Sequence, residues 1–202
     1  MKLTIRDPRP FRNLFVIEKR LDGHVPAIVR RGDSNRQGFP FDFSSLDRAA
    51  SMQPTHCTHY TKADQPDNWS SRLGHDRASR GFRTRDIRDS GGTLALGSDW
   101  PIAPYDARSI MADAQLRRPA GAPDVDPIGS AQSLTARMAL EGYTTHSAAA
   151  AGQSAVAGRI AVGMRADLTA FAVDPLTAPP DELADAPVLL TVVAGEVGHR
   201  TP

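Results

Sequence analysis

Cysteine is nearly absent. Cys57 is the single one in 202 residues, so the chain cannot close an internal disulfide. Long apolar runs are missing too: none approaches the roughly 18 residues of a membrane span. No charged start leads into an apolar stretch and a small-residue cleavage site, so no secretory signal is readable. A cytoplasmic location follows as the expectation, with no membrane partner. Neither charge dominates, with 24 Lys and Arg against 23 Asp and Glu. A general nucleic-acid binder carries a clustered basic excess, so no nucleic-acid partner is expected. Lysine stands only at Lys2, Lys19 and Lys62, and no HxH pair and no internal repeat occur.

What is present divides into three parts. Residues 1–48 are Arg-rich and remain unassigned, with short strand candidates in NLFVIEK and HVPAIVR. Residues 49–152 alternate extended and helical patterns. AASMQPTH reads as an extended segment ending at Pro54. The end of DRASRGFRTRDIRDSGG reads as a helix with Phe82 and Ile87 near one face, stopped by Gly91 and Gly92. TLALG is a short continuous apolar run, as in a strand covered on both faces. DARSIMADAQ predicts a helix. SAQSLTARMALEGYTTHSAAAAG predicts one long helix with Leu134, Met138 and Tyr143 on its apolar side, an Arg137–Glu141 pair, and His146 late in its course. Strand and helix in alternation predict parallel α/β layering. Residues 153–202 read as strands and turns, with Ile160, Val162, Leu168, Ala170 and Ala172 alternating about a turn at Gly163, and a further pair around AGE.

GGTLALGSDWP, residues 91–101, places Asp99 just past the apolar run. In parallel α/β folds ligands gather at the carboxyl ends of strands. A carboxylate there can ligate a metal or take a proton from an attacking water. It can equally cap a turn. HCTH, residues 56–59, offers His56, Cys57 and His59 as zinc ligands, or reads as a loop with satisfied polar groups, since a structural zinc draws on four ligands. A nucleophilic Cys57 would need an electropositive niche and an oriented base. Six arginines between Arg72 and Arg88, interleaved with aspartates, read as a solvated face. His75 and His199 read as exposed, and Asp167 as a turn-bonding residue.

LALGSDWPIAP resembles the strand-eight signature of the amidohydrolase superfamily, in the amidohydrolase 3 group that includes N-substituted formamide deformylases. ASMQPTHCT, DNWSSRLGHDRASRGFRTRDIRDSGG, ALEGYTTHSAAAAG, GRIAVGMRADLTAFAVDP and TVVAGEV follow that group's pattern. The resemblance implies the C-terminal part of a (β/α)8 metal-dependent hydrolase barrel, strands seven and eight with their helices, plus strands of a small β-sandwich. Asp99 is then the strand-eight aspartate, catalytic and touching the metal. His56 faces the substrate at the end of strand seven, and Trp100 and Pro101 shape the pocket. The implied cofactor is a divalent metal, zinc first. The implied substrate is a small amide or formamide, cleaved at a non-peptide carbon–nitrogen bond.

A complete barrel takes about 250 residues, and no segment like HRIEH precedes Ser51. The expectation is therefore a truncated chain lacking barrel strands one to six. The alternative is a non-catalytic remnant or interaction module. In either case open sheet edges would invite self-association.

Overall fold

A computed structural model describes residues 49–62 and 67–202, and the backbone at Leu14–Phe15. That last pair is strand β1. Strand β2 (Ala49–Met52) is followed by helices α1 (Pro54–Tyr60), α2 (Asn68–Leu73), α3 (His75–Ala78) and α4 (Thr84–Asp89). Strand β3 (Thr93–Leu96) then runs parallel to β2, in register from Ala49 opposite Thr93 to Met52 opposite Leu96. A parallel pair needs a crossover, and the four helices supply it. Leu94, Ala95 and Leu96 are all buried, as the unbroken apolar run predicts.

The stop before β3 is built as the sequence suggests. Gly91 takes a left-handed φ of 79°, and Gly92 N–H returns to the carbonyl of Ile87. Ile87 is buried on α4, but Phe82 is not helical: it precedes α4 with a left-handed φ of 53°. HCTH is not a loop either. It lies in α1, which starts on Pro54, where a missing N–H costs nothing.

Helix α5 (Ala107–Leu116) is capped by Asp106, whose side chain accepts the N–H of Arg108. The predicted long helix is divided. A 3-10 turn (Ser130–Gln132) leads to Leu134, which is buried ahead of the helix. Thr135 then caps α6 (Ala136–Tyr143), and Thr144 breaks the run before α7 (Thr145–Ala150). Thr144 leaves helical geometry, and its hydroxyl donates back to the Leu140 carbonyl at 2.8 Å. Helix α6 lies close on β3 because residue 142 is glycine: a Cβ there would stand 2.6 Å from Leu96 Cγ.

The C-terminal part forms one antiparallel sheet in the order β1, β4 (Leu168–Phe171), β5 (Val188–Val193), β6 (Glu196–Arg200). The strand candidate NLFVIEK thus contributes Leu14–Phe15, paired with β4; HVPAIVR lies outside the described residues. The β5–β6 hairpin turns at Ala194 and Gly195, both at positive φ. Asp167 Oδ1 accepts the Ala194 N–H at 2.7 Å, so this aspartate does serve a turn. Ile160 and Val162 are not in a strand; both are exposed on an irregular run before β4. A short helix that periodicity did not signal, α8 (Pro180–Asp185), buries Leu183 against the core. That core joins the two sheets through Leu94, Leu96, Ile110, Met111, Phe171 and Leu183. The described part is α/β, with one parallel and one antiparallel sheet. Among the described residues no helix is long and apolar enough to cross a membrane.

Candidate functional site

Because β2 and β3 are parallel, their carboxyl ends open on the same side. Gly97 N–H donates to Met52 O at 3.1 Å and carries the pairing to that edge. Two turns leave it. From β2 the chain enters α1, with His56 in the first turn. From β3 it passes Gly97 and Ser98 into a turn holding Asp99 at a left-handed φ of 56°, closed by Ile102 N–H on Asp99 O. The hydroxyl of Tyr60, at the end of α1, donates to the carbonyl of Ile102 at 2.8 Å and ties the two turns together.

Asp99 is exposed on this turn, as are Trp100 and Pro101. Trp100 is 64% exposed and meets Tyr105 edge-on, with ring centroids 5.2 Å apart. His56 lies inward. Its Nε2 is buried without a hydrogen-bond partner among the described residues, and its ring stands 5.7 Å from that of Tyr60. His56 lines a cavity of about 280 Å³ with Tyr60, Thr61, Trp69 and Phe82. Asp99, Trp100 and Pro101 do not line that cavity. Of the cavity's lining residues only His56 is expected from the sequence; Tyr60, Trp69 and Phe82, its aromatic wall, are not.

The other members of HCTH point elsewhere. Cys57 is fully buried, and burial pushes its thiol up, partly offset by the nearby Arg117 guanidinium. A buried thiol held in its neutral form is the reverse of an activated nucleophile. Thr58 Oγ1 donates to Asp113 Oδ2 at 2.9 Å, and His59 Nε2 lies 3.3 Å from the same oxygen. Asp113 is buried on α5 and also accepts the Ala120 N–H. The three candidate ligands thus diverge to a cavity, the core and α5, which removes the zinc reading of HCTH.

A catalytic zinc takes three protein ligands and an open position. Among the described residues no three His, Cys, Asp or Glu side chains come together to hold a metal ion. Asp99 supplies one carboxylate with no histidine beside it in such a group, so the described residues do not by themselves fit the metal.

A second polar cluster lies along β3. Gly97 N–H faces β2, so by alternation Leu94 N–H points off the other edge. His146 Nδ1 accepts it at 2.9 Å. Arg88 Nη1 reaches the same ring at 2.7 Å, and Arg88 Nη2 pairs with Glu141. His146 therefore does not sit late in a helix, at a C-terminus that favours its charge. It opens α7 and closes a strand edge. Glu141 pairs with Arg88 rather than with Arg137, and Arg88 is turned inward, away from the solvated face expected of its neighbours. His75 and His199 are exposed, as read.

The family model described as "Amidohydrolase family" matches residues 17–199, reaching back into the segment left unassigned by the sequence reading. The chain is similar to the putative amidohydrolase YtcJ of Bacillus subtilis strain 168, at 30% identity over 79% of this chain and 30% of that protein. Among solved structures it is similar to an uncharacterized metal-dependent hydrolase from Pyrococcus horikoshii OT3, with a TM-score of 0.54 and 23% identity over 68% of this chain and 26% of that one. It is also similar to E. coli guanine deaminase, with a TM-score of 0.54 and 12% identity over 79% of this chain and 36% of that one. At these identities the two structures bear on the fold alone. The chain spans about 30% of the length of its curated relative.

Proposed function

Because this chain belongs to the amidohydrolase family, we propose that it carries the closing strands, seven and eight, of a (β/α)8 hydrolase of non-peptide carbon–nitrogen bonds. The observation that supports this reading is the parallel register of β2 on β3, which brings the chain to His56 and to Asp99 at one sheet edge. On this reading residues 49–152 are the barrel portion and 153–202 belong to the accompanying sheet domain. The substrate is a small amide or formamide of the kind N-substituted formamide deformylases take.

Asp99 acts as the general base. It takes a proton from the water that attacks the carbonyl carbon and returns that proton to the nitrogen as the carbon–nitrogen bond breaks. His56 orients the carbonyl, and Trp100 and Pro101 border the entrance. The family implies a divalent metal, with zinc first. Its ligands would have to come from beyond the residues described, since these offer no cluster for it.

The test is hydrolysis of a panel of N-substituted formamides and carboxamides by the full chain, with zinc added, compared with Asp99→Asn and His56→Ala. Asp99→Asn should lower kcat by about two orders of magnitude or more, within the general-base range. His56→Ala should act mainly on KM. Turnover that survives Asp99→Asn unchanged ends the assignment.

A second reading, an interaction module, is favoured by one observation. Trp100, Ile102 and Tyr105 are each more than half exposed within one short stretch. It requires concentration-dependent association that Trp100→Ser weakens, with no turnover by the parent chain.

A further inference from the structure

The cavity beside His56 has walls fixed by features that the hydrolase reading does not use. A Cβ on Gly81 would stand 3.0 Å from Trp69 Cζ2 and 3.2 Å from the Ala78 carbonyl, so the indole rests directly on bare backbone. Phe82 holds a left-handed φ of 53°, a genuine outlier for a bulky residue. Its carbonyl is pinned by Thr84 N–H at 2.9 Å and by Nη1 of Arg117 at 3.3 Å, and Arg117 is itself buried. The ring so placed does not join the core cluster of Ile87 and Leu94. It stands 5.2 Å from Trp69, tilted by 41°. Strain that serves no core packing, with an indole seated against glycine, gives a preformed aromatic wall.

The polar side of the cavity is narrower. Thr61 Oγ1 is committed to Cys57 O, and the Tyr60 hydroxyl to Ile102 O. His56 Nε2 is left buried and unpartnered among the described residues. Among the described residues no Lys, Arg, Asp or Glu lines the space. At about 280 Å³ it lies near the roughly 300 Å³ at which ligand pockets begin.

We infer that this cavity binds a small, neutral, planar aromatic amide, its ring against Trp69 and Phe82 and its amide on the His56 side. That the amide is a substrate group rests on the hydrolase reading; the binding of the ring does not. Aromatic rings gain from edge and offset contacts with Trp and Phe beyond their buried area, whereas a carboxylate or amidinium would be desolvated with no counter-charge.

The experiment is titration calorimetry of the full chain with benzamide, cyclohexanecarboxamide and benzoate. Benzamide should bind at least fivefold more tightly than the other two. Trp69→Ala and Phe82→Leu should each weaken it at least fivefold, with far-ultraviolet circular dichroism confirming that at least one of them is folded. Equal affinity for the three compounds, no saturable binding of benzamide, or folded Trp69→Ala and Phe82→Leu chains binding like the parent overturns the inference. Benzamide bound with the expected selectivity, in a chain that hydrolyses no amide, leaves the cavity standing and removes the hydrolase reading instead.

Discussion

The Tyr60 hydroxyl donates to the carbonyl of Ile102 across 2.8 Å, and this bond joins the helix after β2 to the turn after β3. Without it the Asp99 turn would be held by its own Ile102 N–H to Asp99 O bond and by the strand it leaves. Tyr60→Phe should cost no more than about 1 kcal/mol, since the group is exposed and water replaces the partner. It should raise amide exchange at Ile102 selectively. Exchange unchanged there would mean that the turn is rigid without the tie.

Asp113 is the buried carboxylate that fastens α1 to α5 through Thr58, with the Ala120 N–H on its other oxygen. Removing it takes the partner from one buried donor, the Thr58 hydroxyl, and from one half-buried donor, the Ala120 N–H; a buried donor left unpaired costs about 1–3 kcal/mol. Asp113→Ala should therefore destabilise by about 2–3 kcal/mol in urea unfolding. Asp113→Asn keeps an acceptor for Ala120 and a hydroxyl partner for Thr58, and should lose less than half as much. Equal losses for the two variants would place the effect in charge rather than in hydrogen bonding.

Much of this arrangement is written locally in the sequence. TLAL is a strand because three apolar residues in a row, Leu94 to Leu96, suit a position buried on both faces. Gly91 ends α4 because left-handed backbone follows. Gly158, which opens GRIAVGMRADLTAFAVDP, has a φ of 89° and would place a Cβ 2.6 Å from that of Ala148. The motif there records a fit. Other features are set by tertiary partners that no short window contains. Nothing near His146 says that its ring will meet Leu94, 52 positions earlier, or that Arg88 will leave its exposed neighbours to join it. Helical periodicity through Thr144 hides the break that lets this happen. Of the site, Asp99 and His56 are legible by position. Trp69 and Phe82 are not, because the indole's seat depends on Gly81 and Phe82 is held by Arg117 from another helix end.

Gly142 tests the packing of α6 on β3. Alanine is the better helix former by about 1 kcal/mol. Its methyl, however, would meet Leu96 Cγ at 2.6 Å and the Leu94 carbonyl at 3.3 Å. Leu96 is a buried member of the core cluster. Overpacking of this kind costs about 1–3 kcal/mol and outweighs the propensity gain. Gly142→Ala should lower the urea midpoint, and it should lower it less in a Leu96→Ala background, where the leucine no longer fills the space the methyl needs. A Gly142→Ala chain more stable than the parent would show that β3 and α6 separate freely.

His146 carries the pH dependence. Burial lowers its pKa first, the Arg88 guanidinium adds to this, and Glu141 opposes it. The neutral ring is also the form that accepts Leu94 N–H at Nδ1. A base whose pKa falls on folding binds its proton more tightly in the unfolded chain. Stability is then complete above the unfolded value, about 6.5, and is lost as pH falls below it toward the folded value. Urea midpoints measured between about pH 7.5 and pH 5 should fall with pH in the parent. His146→Gln keeps an acceptor for Leu94 without titrating, so its midpoint should be flatter over the same range and lower at the alkaline end. If His146→Gln follows the parent's slope, protonation elsewhere drives the loss, and the ring closes the β3 edge without sensing pH.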